Sequence, residues 1–244
     1  MPTPAEIYKQ IKEKEVKYVD VRFTDIRGKL QHVTFDVDLV DDDFLTDGTM
    51  FDGSSIAGWK AINESDMKLR PDLETANIDP FYQQTTLTLF CDVLNPDTNE
   101  PYNRDPRGMA RKALTHLKAS GIGDTAYFGP EAEFFIFDDV RWATAANDTR
   151  YSFDSTELPA NTGRAYEEGN MGHRPGPKGG YFPVNPVDSA QDLRGEMLGV
   201  MGELGLKPEK HHHEVAPAQH ELGLKFADLL TMACLLYTSD AADE

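Results

Sequence analysis

Residues 126–140 (AYFGPEAEFFIFDDV) place the strongest limit on how this chain folds. Glu131 and Glu133 stand two positions apart, and four apolar residues follow them at 134–137. In a strand, residues two apart point to the same face, so both carboxylates lie together while the apolar run covers both faces. We therefore predict a long, buried strand with a break at Gly129.

Two carboxylates beside such an apolar run repel each other and are costly to remove from water. A bound cation would relieve both costs, which makes Glu131 and Glu133 a candidate metal site. The alternative is that the strand emerges into solvent here and that the glutamates are simply exposed.

A second cluster lies at residues 211–221 (HHHEVAPAQHE). In a strand, His212 and Glu214 share one face, and the two histidines beside His212 share the other. Glu221 follows Glu214 by seven residues, so two separate strand ends could each bring a glutamate to one point. Carboxylate ligands favour Mg²⁺ or Mn²⁺ over zinc. A surface or structural role is the alternative.

Residues 50–60 (MFDGSSIAGWK) predict a turn that exposes small polar groups, with a plain surface loop as the alternative. The sequence contains no glycine-rich phosphate-binding motif of the P-loop or dinucleotide type. Any nucleotide must therefore be held in another way.

Hydrophobic periodicity in the first hundred residues predicts a small α+β domain. Residues 4–14 indicate a short amphipathic helix, residues 18–37 a β-hairpin that turns at 25–28, and residues 85–94 a strand.

Asp105 marks the start of a second part, because it suits a helix N-cap with Pro106 at the first helical position. This helix should end at Gly121. Residues 142–180 are rich in Gly, Asn, Pro and Asp and predict a long loop. An amphipathic helix over 189–205 and then a strand from Lys207 are predicted to follow.

The charge balance excludes several classes of partner. A net charge of −18, from 24 basic and 42 acidic residues, argues against binding to nucleic acid or to an anionic membrane. Two cysteines, Cys91 and Cys234, cannot form a disulfide framework or a cysteine zinc site. No apolar run approaches the roughly 20 residues that cross a bilayer, and no signal region follows Met1. We expect a cytoplasmic protein.

Taken together, five segments resemble type I glutamine synthetase in their order and spacing: MFDGSSIAGWKAINESDM (50–67), FGPEAEFFIFD (128–138), GHRPGPKGGYFPV (172–184), VDSAQDLR (187–194) and HHHEVAPAQHELGLKF (211–226). The resemblance covers residues 1–233. It implies an α+β chain, with a β-grasp-like N-terminal domain at 1–104. At 105–233 it implies the first part of an antiparallel-sheet catalytic domain.

This resemblance also implies a reaction, the ATP-dependent ligation of ammonia to L-glutamate through γ-glutamyl phosphate. Glutamate, ammonium and ATP would be the substrates, a pair of Mg²⁺ or Mn²⁺ ions the cofactors, and a double-ring dodecamer the assembly. The implied site residues are Asp52, Ser55 and Tyr181 for ammonium, Glu209 for the nucleotide, and Glu131, Glu133, Glu214 and Glu221 for the metals.

Residues 234–244 (CLLYTSDAADE) match nothing in that family and instead match a translated transposon sequencing adapter. We therefore expect a non-native tail on an N-terminal half that is itself inactive and prone to aggregate.

Two other functions stay open. One is a related ligase that joins glutamate to a different amine, against which Asp52, Ser55 and Tyr181 argue. The other is a non-catalytic truncated homologue that acts as a binding subunit, against which the adapter-like tail argues.

Overall fold

The computed structural model describes residues 2–158 and 174–233, and the chain divides into two compact units. The second unit is Gly129–Lys225, and the first comprises the residues up to Phe128 together with the described residues from Phe226 on. The α-helices are α1 (Pro4–Glu13), α2 (Asp42–Thr46), α3 (Pro106–Ser120) and α4 (Gln191–Glu203). The strands are β1 (Tyr18–Thr24), β2 (Leu30–Asp36), β3 (Thr49–Asp52), β4 (Asp66–Pro71), β5 (Asn77–Ile78), β6 (Thr86–Leu94), β7 (Tyr127–Phe128), β8 (Glu131–Phe135), β9 (Asp139–Ala145), β10 (Asp148–Asp154), β11 (Pro208–His213), β12 (Gln219–Leu224) and β13 (Ala227–Asp228).

A six-stranded mixed sheet forms the body of the first unit. Its strands follow the order β2-β1-β6-β4-β3, and β5 pairs with β6. β1 runs parallel to β6, while its other neighbour, β2, is antiparallel. Val19, Val21, Leu87 and Leu89 are fully buried in one core with Ile7 of α1. The α+β class predicted from the sequence is confirmed.

The predicted β-hairpin is present, and its turn is held by Asp25. The Asp25 carboxylate accepts hydrogen bonds from the amides of Arg27 at 2.8 Å and Lys29 at 3.1 Å. Gly28 adopts φ +83°, a left-handed conformation that glycine reaches without strain.

Helix α3 begins and ends where its capping residues predict. The Asp105 carboxylate accepts hydrogen bonds from the amides of Arg107 at 3.2 Å and Gly108 at 3.0 Å, which satisfies two free amides of the first turn. Pro106 occupies the first helical position, and Gly121 ends the helix with φ +70°.

The second unit contains a three-stranded antiparallel sheet in the order β11-β12-β8 and a separate hairpin, β9–β10. Helix α4 and strand β11 confirm the helix and strand predicted for this region, and Gly205 follows α4 with φ +86°. The buried face of α4 is not the apolar face that an amphipathic helix would bury, because Arg194 is fully buried whereas Leu193 is 46% exposed.

The predicted break at Gly129 is present between β7 and β8, but the prediction of a long, buried strand over 126–140 is wrong. The segment forms three short strands, β7, β8 and the start of β9. Within the described residues β8 pairs only with β12, so one of its edges is open. Phe135 is 48% and Phe137 is 37% exposed, because the described part of the chain covers neither fully.

The predicted loop over 142–180 is also partly wrong, because β9 and β10 form a regular antiparallel hairpin with Asp148 opposite Ala145. Alternating apolar residues mark both strands, but Trp142 is 72% and Tyr151 is 78% exposed. The polar composition of this segment predicted a loop, although its residues form a hairpin whose apolar side chains stay exposed.

Two predicted features fall wholly or partly outside the described residues: the adapter-like tail at 234–244 and the middle of the 142–180 loop. Within the described ranges, no helix is both long and apolar enough to span a bilayer.

Candidate metal centre

The register of the three-stranded sheet in the second unit aligns three polar residues from distant parts of the chain. Glu221 on β12 lies directly opposite Glu133 on β8 and, on its other side, opposite His212 on β11. Directly paired residues share a face of the sheet, and Glu131 shares it too because it stands two residues before Glu133. The face therefore collects negative charge.

His212, Glu214 and Glu221 form the compact part of this site. The His212 Nε2 atom lies 2.8 Å from Glu214 Oε1 and 3.3 Å from Glu221 Oε2. One potential ligand atom from each residue lies within 4.8 Å of the others, the spacing of groups that can share one ion. The sequence predicted Glu214 and Glu221 as ligands, whereas His212 was not assigned, although its alternation with Glu214 placed both on one face.

The two glutamates of this cluster are electrostatically unequal. Burial raises the pKa of Glu221, and the negative charges of Glu131 and Glu214 raise it further against the opposing effect of His212 and Lys210. Burial acts the same way on Glu214, but hydrogen bonds from the Val215 amide and from His212 outweigh it and lower the pKa. The positive charges near Glu221 therefore do not offset the burial and the negative charges that disfavour its ionised form.

Two buried atoms of this cluster lack hydrogen-bond partners in the part of the chain that the structure describes. Among the described residues, the buried atoms Glu221 Oε1 and His212 Nδ1 have no hydrogen-bond partner. Buried polar groups are normally satisfied, so these two require an explanation. The carboxylate oxygens of Glu214 and Glu221 are of the ligand type that Mg²⁺ and Mn²⁺ prefer.

The structure places Glu131 and Glu133 on the same face but does not bring them into the compact cluster. Both are exposed, and the Glu133 Oε2 atom accepts a hydrogen bond of 2.6 Å from Gln219 Nε2. Their assignment as metal ligands stays a prediction.

Tyr181 lies beside this centre. Its ring stands edge-on to His212 with centroids 5.6 Å apart and stacks on Phe182 at 4.0 Å. The chain approaches closely here, because a Cβ on Gly180 would lie 2.6 Å from the Glu214 carbonyl oxygen. Glycine at 180 thus permits Tyr181 to lie near the acidic face.

Glu209 sits at an irregularity in β11, where the register with β12 shifts between Pro208 and Lys210. Its side chain is exposed. Its predicted role at the nucleotide stays a prediction.

Asp52 and Ser55 belong to the first unit, whereas the acidic face belongs to the second. Both are exposed. The Asp52 carboxylate accepts hydrogen bonds from the Ser54 hydroxyl at 2.6 Å and amide at 2.8 Å, and these bonds lower its pKa. These bonds favour the ionised form of Asp52, and the assignment of Asp52 and Ser55 to an ammonium site stays a prediction.

Comparison with known proteins accounts for both units. The family model for the glutamine synthetase β-grasp domain matches residues 15–96, and the model for the glutamine synthetase catalytic domain matches residues 103–238. The glutamine synthetase of Bradyrhizobium diazoefficiens is 63% identical over 233 residues, which are 96% of this chain and 50% of that protein. The Rhizobium meliloti glutamine synthetase matches to the same extent.

A solved structure shows the same fold. The cryo-EM structure of Plasmodium falciparum glutamine synthetase superposes with a TM-score of 0.88 at 26% identity and covers 99% of this chain and 48% of that one. The chain spans about half the length of the curated relatives it matches. Because the two family models cover most of the sequence, the chain belongs to the glutamine synthetase family.

Proposed function

We propose that the protein containing this chain ligates ammonia to L-glutamate with ATP and forms L-glutamine through γ-glutamyl phosphate. The observation that carries the proposal is the partly buried cluster of His212, Glu214 and Glu221 on one face of the second-unit sheet. It supports the family's reaction, because phosphoryl transfer relies on positioning and on neutralising developing charge.

In this proposal, Glu131, Glu133, Glu214 and Glu221 hold a pair of Mg²⁺ or Mn²⁺ ions. These ions would supply positive charge to the phosphoryl group as it is transferred. The side chains orient that charge, and Glu209 contacts the nucleotide.

Asp52, Ser55 and Tyr181 form the ammonium site in the proposed mechanism. An ionised Asp52 carboxylate attracts ammonium and accepts a proton from it, which leaves ammonia free to attack the acyl phosphate. The hydrogen bonds from Ser54 favour this ionised form. Tyr181 would line the same pocket.

We further propose a cytoplasmic double-ring dodecamer in which Asp52 serves the site of the neighbouring subunit. This arrangement is what the family resemblance implies for a chain with Asp52 in its N-terminal domain.

The test is to assay the intact protein with glutamate, ATP and Mg²⁺ or Mn²⁺, offering ammonia, methylamine or a polyamine in turn. We expect glutamine formation with ammonia to have much the highest kcat/KM. Preference for an organic amine would favour the related amine ligase, and the absence of ATP-dependent product would favour a non-catalytic homologue.

A further inference from the structure

The face of the second-unit sheet opposite the candidate metal centre carries a buried polar cluster. Three of its side chains are almost completely inaccessible: Arg194 is 0%, His213 is 1% and His220 is 1% exposed. We call it the back-face cluster, and it consists of Glu157, Asp188, Arg194, His211, His213 and His220. Its members are not among the residues proposed above to contact substrate or metal.

Glu157 ties together both ends of the turn that carries Glu214. Its Oε2 atom accepts hydrogen bonds from His213 Nε2 at 2.7 Å and from the Ala218 amide at 2.8 Å. Its Oε1 atom accepts a third from the Ser189 hydroxyl at 2.9 Å. His213 precedes the turn at 214–218 and Ala218 ends it, so one carboxylate fixes the two ends of the turn.

His213 also contacts the backbone of Glu214 directly. The His213 Nδ1 atom lies 2.6 Å from the Glu214 carbonyl oxygen, which can only accept, so the ring donates there. A continuous path of hydrogen bonds thus runs from Glu157 through His213 to the Glu214 backbone.

Arg194 contacts both β11 and β12 on the face of the sheet opposite the candidate metal centre. Its guanidinium donates to His211 on β11 at 3.2 Å and to His220 on β12 at 2.9 Å, and it also pairs with Asp188. His211 precedes His212, and His220 precedes Glu221. The back-face cluster therefore links the two strands that carry His212 and Glu221.

We infer that Glu157 is a positioning residue for the candidate metal centre, which it serves by fixing the turn between Glu214 and Glu221. The inference rests on the proposed function, because it concerns the same metal centre. Partners that orient metal ligands typically contribute about 10–100-fold to metal affinity. Both the length and the charge of Glu157 matter, because Oε2 must reach two donors and because a His213 ring that donates from both nitrogens carries a positive charge.

The test compares three variants of the intact protein for Mn²⁺ affinity, measured by electron paramagnetic resonance, and for thermal stability. Glu157→Asp keeps the charge but is one methylene too short to reach both donors. Glu157→Gln keeps the length, with one oxygen for His213 and Ala218 and an amide for Ser189, but loses the charge. Met201→Ala removes a buried α4 side chain outside the cluster and shows what lost stability alone does to affinity.

We expect Glu157→Asp to bind Mn²⁺ about 10-fold more weakly than the wild-type chain. Glu157→Gln should also bind Mn²⁺ more weakly, because the buried His213 ring then loses its counter-charge or one of its two hydrogen bonds. Met201→Ala should stay close to wild type in affinity. Equal affinity in all variants, or a loss in Met201→Ala as large as that in Glu157→Asp, overturns the inference while the metal centre stands. If the wild-type chain itself binds no Mn²⁺, the metal centre fails and the inference falls with it.

Discussion

Glu221 and Glu133 lie directly opposite each other in the antiparallel register of β12 and β8. Like charges in that position destabilise a sheet. His212 flanks Glu221 on the other side, yet the Glu221 Oε1 atom has no hydrogen-bond partner among the described residues. We therefore expect the pairing to lower the stability of the sheet and a cation bound at Glu221 to raise it.

Glu221→Gln should separate these two effects. Without metal, the variant should be as stable as the wild-type chain or more so, because burial already disfavours the charged carboxylate. With Mn²⁺ at 100 times the dissociation constant, the wild-type chain should gain about 2.7 kcal/mol and the variant much less. Thermal unfolding with and without Mn²⁺ measures both. Glu203→Gln, an exposed change on α4, is the control and should respond as wild type does.

Gly180→Ala should distort the metal centre. The new Cβ would lie 2.6 Å from the Glu214 carbonyl oxygen and 2.7 Å from His213 Cε1. We expect a loss of about 1–3 kcal/mol in unfolding free energy and weaker Mn²⁺ binding. Gly176→Ala is the matched control, because no atom lies within 4 Å of its added Cβ. A similar response in both variants would show that the close approach at Gly180 is not the cause.

The elements that sequence predicted well are those fixed by local chemistry. Asp105, Pro106 and Gly121 delimit α3 because capping depends on neighbouring residues only. The turn at Asp25 likewise depends on bonds within a few residues.

The elements that sequence did not predict depend on distant pairing. Glu133 and Glu221 meet only because β8 pairs with β12, and no local rule sets that register. The burial of Arg194 on α4 could not be predicted, because its partners His211 and His220 lie on the strands β11 and β12. Periodicity also misread Phe135, since an apolar residue on an open edge strand need not be buried.

Asp105→Ala should lower the stability of the first unit. It removes both carboxylate oxygens, of which Oδ1 accepts from the Arg107 amide and Oδ2 from the Gly108 amide, and such a loss typically costs about 0.5–2 kcal/mol. Asp105→Asn retains a side-chain oxygen and should cost less, particularly since burial raises the pKa of Asp105 and disfavours its charge. Urea unfolding measures the differences. Asp124→Ala, at an exposed position, should have little effect, and an equal loss there would contradict a capping role for Asp105.

The stability of the second unit should fall as the pH is lowered from about 6.5 to about 4. Burial, reinforced by Arg194, lowers the pKa of His220 to about 4 from its usual 6.5. Between these two pH values His220 is protonated in the unfolded chain but neutral in the folded chain. The unfolded state therefore binds more protons, and lowering the pH stabilises it relative to the folded state. His220→Gln should flatten this part of the stability profile, whereas His116→Gln, at an exposed site in the first unit, should not. Unfolding monitored by circular dichroism at a series of pH values is the measurement.

Asp52→Ala should impair the use of ammonia far more than the phosphorylation of glutamate in the intact protein. The hydrogen bonds from Ser54 lower the pKa of Asp52 and keep its carboxylate ionised, which suits it to attract ammonium. In the proposed function the same carboxylate also accepts the proton. General-base assistance is typically worth about 10²–10⁴ in rate, so glutamine formation should fall by that order. Phosphate release from ATP and glutamate without ammonia reports the first half-reaction and should change little. Asp97→Ala, another exposed carboxylate of the first unit, should leave both rates unchanged. An equal loss of both half-reactions in Asp52→Ala would remove Asp52 from the ammonium site and assign it a structural role instead.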